Sequence, residues 1–279
     1  MRVMVTGATG YVGQHIVPKL LAQNHEVIAV ARNEVRAQTF NWYKKVIFIS
    51  NDFHANSNIF TSIDGSIDAL IHLAWPNLPN YEQSFHLTKN LPADIRFFEE
   101  ALNFGIPQLI VAGTCLEYGM KSGGISENSE TNPITSYGLA KDTLRKWLEI
   151  KRTRKNFILQ WMRLFYSYGA GQSEKSLFSQ LDSAINRGDD IFNMSGGEQL
   201  RDYLSIEEIA DYFVKILNNP DITGAINCCS GNPIKINDLV SQYLIKKECD
   251  MKLNKSFYPY PKYEPMEFWG ILDKLKMLS

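Results

Sequence analysis

Short uninterrupted apolar runs recur through the first two thirds of the chain, at residues 2–5, 26–31, 46–50, 69–73, 108–112 and 157–163, with amphipathic stretches between them. A strand with one wet face alternates apolar and polar residues. Continuous Val/Ile/Leu runs instead belong to strands buried on both faces, as in a parallel sheet with helices on either side. The rhythm therefore predicts βαβ units and a doubly wound α/β sheet. Among the intervening helices, residues 87–104 place Leu91, Ile95, Phe98 and Leu102 on one stripe and stop at Gly105 before Pro107. A first helix begins near Gly10 and carries Pro18, which removes a backbone donor and should kink it.

Past about Gly169 the composition turns to Ser, Gly, Asn and Asp, with turns at Gly188-Asp189-Asp190 and Ser195-Gly196-Gly197. Helical periodicity returns at 177–187, 206–217 and 236–246, and residues 258–265 read as a Tyr/Pro-rich extended tail. The shift divides the chain into a larger sheet domain, 1–168 with parts of 200–230, and a smaller lobe, 169–199 with 231–279. At 279 residues and 44% apolar content the chain can bury one large core or a core with a satellite, which excludes disorder as its theme. Its 29 basic and 30 acidic side chains nearly cancel, so no global field favours nucleic acid or an anionic membrane. Cys115, Cys228, Cys229 and Cys249 show no C-x-x-C spacing and suggest neither a disulfide framework nor a metal site. With no apolar run near the roughly 18–20 residues of a membrane span, and no signal-peptide pattern after Met1, a cytoplasmic protein is expected.

Val5-Thr6-Gly7-Ala8-Thr9-Gly10-Tyr11-Val12-Gly13 follows the first strand and opens the first helix. In that context the first glycine permits a tight turn. The second lets backbone amides approach a pyrophosphate at the positive helix end, and the third lets helix and strand pack closely. The alternative is a glycine-rich turn without a ligand. A Rossmann-type dinucleotide site is the stronger reading. At the tip of the second strand, Val30-Ala31-Arg32-Asn33 has no carboxylate for a ribose 2′-hydroxyl, and Arg32 is placed either to fork a 2′-phosphate or simply to face solvent. The first reading favours NADP over NAD.

Thr135 and Ser136 can cap a helix starting just ahead of Tyr137, which puts Tyr137 and Lys141 on one face at i, i+4. An ammonium beside a phenol lowers a pKa that is ordinarily about 10 and yields an acid/base usable near neutrality. The run Ile110-Val111-Ala112-Gly113-Thr114 delivers the Thr114 hydroxyl at a strand's C-terminal end, where α/β sheets place their chemistry.

Taken together these motifs resemble the extended short-chain dehydrogenase/reductase family, the nucleotide-sugar epimerases, dehydratases and reductases, along nearly the whole chain. Residues 6–13 look like the family's T-G-x-x-G-x-x-G. The resemblance implies that Gly7, Thr9, Gly10, Tyr11, Val12 and Gly13 hold the dinucleotide together with Asp52 and Phe53 after the third strand. It adds Leu73 and Ala74 after the fourth strand, Asn90 in the next helix, and Leu164. It assigns Thr114, Tyr137 and Lys141 as the catalytic group, with Tyr137 and Lys141 also touching the cofactor. The segments 163–172 and 197–203 match two later family segments, placing Thr114, Tyr166 and Arg201 on the substrate, Arg201 at its diphosphate. The implied partners are a nucleoside-diphosphate sugar and a second copy in a homodimer.

The departures narrow the reaction. Family members that remove water carry an Asp-Glu pair after the catalytic Ser/Thr, whereas Cys115 and Leu116 stand here, which disfavours dehydration. Tyr166 replaces the usual Asn of R-x-F-N. The favoured reading is a 4-ketoreductase of a dTDP- or CDP-linked 4-keto-6-deoxyhexose. A C4 epimerase that retains NAD is its rival, and a non-catalytic dinucleotide sensor is the alternative from another class. Cys115 reads better as a packed apolar side chain than as an acid/base, and His72 better as a satisfied interior histidine. Tyr258, Tyr260, Tyr263, Phe268 and Trp269 either stack on a ligand or pin the tail.

Overall fold

A computed structural model describes residues 1–55 and 58–278, apart from the Phe53 side chain. Seven strands form its main sheet: β1 Arg2–Thr6, β2 Glu26–Ala31, β3 Ile47–Ser50, β4 Ala69–His72, β5 Gln108–Thr114, β6 Ile158–Leu164 and β7 Gly224–Cys228. All pair in parallel in the order β7-β6-β5-β4-β1-β2-β3. The winding reverses at β1, so a crevice opens beyond the carboxyl ends of β1 and β4, where Rossmann-type sheets bind ligands.

The helices are α1 Gly13–Ala22, α2 Leu91–Phe104, α3 Ser136–Arg152, α4 Leu177–Arg187, α5 Ile206–Leu217 and α6 Ile236–Lys246. Successive strand residues serve opposite faces. Val3 and Val5 pack with Ile16 and Leu20 of α1 and Phe213 of α5, while Met4 between them packs with Phe97, Phe98 and Leu144 of α2 and α3. A further core cluster joins Leu181 and Ala184 of α4 to Val240 and Leu244 of α6, with Phe192 of the short strand Ile191–Asn193 and Met251 just before the strand Lys252–Asn254. Among the described residues no helix is long and apolar enough to cross a membrane.

Three features differ from the sequence reading. The helix expected over 87–104 becomes regular only at Leu91. Pro92 has no N–H to return to Thr88, and the preceding turn, His86–Asn90, widens to π geometry. β7 carries no continuous apolar run because its Asn227 is buried as a polar tie, accepting from Tyr118 Oη at 2.7 Å and donating to the Ile125 carbonyl at 2.8 Å. The tail over 258–265 lacks strand geometry, and the strand comes after it. Glu267–Gly270 lies parallel to both Leu200–Arg201 and Gly123–Ile125.

The glycine loop shows why the first helix sits where it does. A Cβ on Gly13 would collide with the Gly7 carbonyl and lie 2.8 Å from Ala8 Cα, so only glycine lets α1 pack this closely on the β1 turn. Gly13→Ala should therefore destabilise the fold by about 1–3 kcal/mol, the usual cost of overpacking. Urea unfolding should show a lowered midpoint with the slope unchanged.

Candidate active site

A cleft of about 990 Å³ runs across the carboxyl ends of the strands. Gly7, Thr9, Gly10, Tyr11, Val12 and Gly13 line one end. Gly7 holds φ +69°, and a Cβ there would stand 2.9 Å from the Ala74 amide nitrogen. The turn closes by a bond from the Gly10 amide to the Gly7 carbonyl at 2.9 Å. No side chain caps α1 at Val12, and the Gln14 amide turns back to the Gly10 carbonyl at 3.1 Å. The positive end of a helix that carries no side-chain cap, beside glycines without Cβ bulk, fits a pyrophosphate.

Arg32 is exposed and lines the same end with Asn33 and Arg36. Asn33 caps the short helix Glu34–Ala37 by accepting from the Arg36 amide at 2.9 Å, while Glu34 is engaged by Tyr43 Oη at 2.6 Å. Asp52 also lines the cleft and accepts from the His54 amide at 3.1 Å. The Phe53 side chain lies outside the described residues. Leu73, Ala74 and Leu164 line the middle. Asn90 is buried and is not a lining residue. Its Nδ2 donates to the Pro76 carbonyl at 3.2 Å, tying down the loop that does line the cleft. His72 is fully buried, with Nδ1 2.9 Å from Thr6 Oγ1 and Nε2 3.3 Å from Asp94 Oδ2, as a satisfied interior histidine.

Thr114, Tyr137 and Lys141 converge at the centre. Thr135 caps α3 by accepting from the Gly138 amide at 3.1 Å, and the Tyr137 amide donates to the Tyr81 carbonyl at 2.9 Å, which together set the first turn. Thr114 and Tyr137 are joined by a side-chain hydrogen bond. Lys141 Nζ donates to the Ala112 carbonyl at 2.9 Å and lies 4.0 Å from the Trp75 ring centroid.

The electrostatics correct the sequence reading. Burial holds the Tyr137 phenol well above its ordinary pKa, Tyr81 adds to the rise, and the Thr114 hydroxyl opposes it. Burial lowers Lys141 to about 8, with Asp94 and Glu117 acting in the opposite direction. The ammonium is engaged by a carbonyl and an indole face, and the net shift of the phenol is upward, not downward. Cys115 is buried and its thiol is pushed up by burial, in keeping with packing rather than acid/base work.

Several residues at the centre gave no periodic signal. Tyr81 stacks on Tyr137 at 5.5 Å, and Trp75 donates through Nε1 to His86 Nδ1 at 3.0 Å. Both rings come from the irregular loop after β4, where neither a helical nor a strand pattern marks them. Glu117 had a signal, the T-x-x-E spacing of a capping box with Thr114. It is fully buried and accepts from the Thr114 amide at 2.9 Å, Trp161 Nε1 at 2.8 Å and Arg163 Nε at 2.7 Å.

At the far end Cys115, Tyr166, Tyr203, Tyr263 and Glu264 line the cleft. Arg201 is not a lining residue and does not sit in a turn. It lies in the strand Leu200–Arg201 behind Tyr166 and Glu264, 2% exposed. Its neighbour Asp202 accepts from the Ser230 and Gly231 amides at 2.6 and 2.8 Å, so Asp202 is turned away from Arg201. Two tail aromatics pin the chain. Tyr260 Oη donates to Glu198, and Phe268 stacks on Phe165 at 5.4 Å, but Tyr263 meets Tyr81 edge-on at 5.9 Å beside the site.

A parallel sheet wound in this order, with a glycine cradle at β1 and a Thr/Tyr/Lys group at its centre, defines a dinucleotide-dependent enzyme fold. Residues 3–229 match the NAD dependent epimerase/dehydratase family, and the chain belongs to that family. It is 27% identical to dTDP-6-deoxy-L-talose 4-dehydrogenase (NAD(+)) of Aggregatibacter actinomycetemcomitans, over 97% of this chain and 99% of that one. It is 25% identical to CDP-abequose synthase of Yersinia pseudotuberculosis, over 78% and 74% of the two chains. The fold is shared with UDP-N-acetylglucosamine 4-epimerase from Methanobrevibacter ruminantium M1, at a TM-score of 0.88 and 22% identity over 100% of this chain and 91% of that one.

The Glu117 geometry generates a prediction. Removing one partner of a buried ion pair strands the other, so Glu117→Ala should cost about 3–5 kcal/mol by leaving Arg163 uncompensated. Chemical denaturation of the variant against wild type measures it.

Proposed function

We propose that this chain is a nicotinamide-dependent oxidoreductase acting at C4 of a nucleoside-diphosphate sugar, working as a 4-ketoreductase on a dTDP- or CDP-linked 4-keto-6-deoxyhexose. The observation that carries the reading is the convergence of Thr114, Tyr137 and Lys141 in one cleft, with Cys115 and Leu116 where an eliminating enzyme needs an acid and a base. The names of the Aggregatibacter and Yersinia relatives support it, since one is a dTDP-6-deoxy-L-talose 4-dehydrogenase and the other a CDP-abequose synthase.

Residues 7–13 and Lys141 would hold a reduced nicotinamide dinucleotide, which would supply hydride to C4. Tyr137 Oη supplies the proton to the C4 oxygen, and its raised pKa keeps it protonated until that moment. The Thr114 hydroxyl, bonded to Tyr137, steadies the same oxygen as charge develops. Lys141, which lines the cleft beside Tyr137, would hold the nicotinamide ribose. Residues 7–13 hold the pyrophosphate, Asp52 the adenine side, and Tyr166 and Arg201 the substrate. We further assign residues 1–168 with parts of 200–230 to the dinucleotide and the remainder to the sugar.

For the dinucleotide we favour NADP. The Aggregatibacter relative and several structural neighbours carry NAD in their names, but in this chain two guanidiniums, Arg32 and Arg36, flank the tip of β2 and no carboxylate stands on it. If Arg32 forks the 2′-phosphate, Arg32→Ala should weaken NADPH binding about 10- to 150-fold, as expected for a charge-assisted contact. NADH binding should hardly change. An unchanged ratio of the two dissociation constants, or a wild type that prefers NADH, would return the assignment to NAD.

The activity is tested by following reduced-nicotinamide absorbance with a panel of nucleotide-linked 4-keto-6-deoxyhexoses. Tyr137→Phe should lose at least about 100-fold in turnover and still bind the dinucleotide in a direct titration. Retained turnover would remove Tyr137 from the mechanism. Tightly bound NAD in freshly purified protein, without net turnover of the panel, would point instead to the epimerase.

A further inference from the structure

Arg201 is a buried cation, and a buried cation needs an anion. Its Nη1 donates to the carbonyls of Leu200 at 2.9 Å and Met266 at 3.2 Å, which fix the plane of the guanidinium. Nη2 points elsewhere, to Glu264 Oε2 at 3.1 Å. Asp202 is turned to two backbone amides, so Glu264 supplies the counter-charge.

Glu264 stands inside the cleft rather than at its rim. Its side chain is 15% exposed, and its charge acts on Tyr81, Cys115, Tyr166 and Tyr203 together. Against it lies the Tyr166 hydroxyl, which is buried and has no hydrogen-bond partner. Its backbone is unlike that of Arg201. Residues 258–265 have no regular structure, and exposed Lys262 and Met266 bracket the carboxylate. The guanidinium is fixed on a strand, while its partner stands on a segment without helix or strand geometry whose neighbouring side chains face solvent.

We propose that Glu264 occupies the seat on Arg201 that a phosphate oxygen of the nucleotide sugar takes, and leaves it when the substrate enters. The proposal rests on the reading that Arg201 serves the substrate's diphosphate. Two anions cannot share one guanidinium nitrogen in a low-dielectric cleft without strong repulsion. An exchange keeps Arg201 paired at every stage, by carboxylate before binding and by phosphate after it. The orphaned Tyr166 hydroxyl adds a neutral donor at the same place. Glu264 is thereby a specificity-determining residue, because an entering ligand must displace a carboxylate whose tether keeps it at high effective concentration. A diphosphate can do so, whereas a single weak anion competes poorly.

Calorimetric titration of dTDP and UDP into the full-length protein saturated with dinucleotide tests the exchange. With the internal competitor neutralised, Glu264→Gln should bind the better of the two diphosphates about 10-fold more tightly than wild type, and Glu264→Ala should move in the same direction. Damage to the fold cannot tighten binding, so the sign separates exchange from a structural role. The thermal midpoint of Glu264→Gln should fall without ligand, as Arg201 loses its partner, and dTDP or UDP should restore more of it than either adds to wild type. Unchanged or weaker binding in both variants would overturn the exchange. Arg201→Ala separates the two layers of the argument: if it abolishes dTDP and UDP binding while the Glu264 variants gain nothing, only the exchange is wrong, and if it leaves both affinities intact, the diphosphate reading falls with it.

Discussion

The buried carboxylate of Glu117 is the constraint on which the reactive centre depends. It receives the backbone N–H of Thr114, the indole N–H of Trp161 and the guanidinium of Arg163, and so joins the carboxyl ends of β5 and β6. Arg163 continues the chain to Tyr118 Oη at 2.8 Å, and Tyr118 to Asn227 of β7 at 2.7 Å. Gly113 has no side chain because a Cβ would collide with the Trp161 indole and lie 2.7 Å from Glu117 Oε1. Such a network contributes little net stability over an apolar core, but every partner is expensive to remove, and it ties down the Thr114 backbone at the end of β5.

Charge at the reactive centre is kept low by burial. Lys141 is brought down to about 8, the Tyr137 phenol is held up, and aromatic rings from Trp75, Tyr81 and His86 close over both. A phenol held protonated can act as a proton donor, the part proposed for Tyr137. In the proposed reading the two anion seats lie apart from this centre, at the start of α1 and beside Arg201, and would leave the reacting carbons of cofactor and sugar to meet between them.

Much of this was legible in the residue pattern because it rests on local rules. Continuous apolar runs marked six of the seven parallel strands, and α4, α5 and α6 begin and end where their periodicity and their glycine or polar termini put them. The glycine loop and the Thr114, Tyr137 and Lys141 group could be seen because their spacing is tied to a strand end and a helix turn. What could not be seen was set by tertiary contact. β7 is held by a buried Asn227, Tyr81 reaches Tyr137 from an irregular loop, and Glu264 meets Arg201 across 63 positions of sequence. The direction of the Tyr137 shift belongs with these, because spacing places an ammonium near a phenol but does not reveal that a carbonyl and an indole engage it.

The central claim is hydride transfer to C4 of a nucleotide sugar at the Tyr137 centre. The most direct measurement uses reduced dinucleotide labelled with deuterium at its transferable position, incubated with the protein and a dTDP- or CDP-linked 4-keto-6-deoxyhexose, with the product read by NMR. The account predicts one deuterium on C4 of the sugar, matched by one oxidised dinucleotide released. Deuterium retained in the dinucleotide, or a C4 hydrogen drawn from solvent, would contradict it.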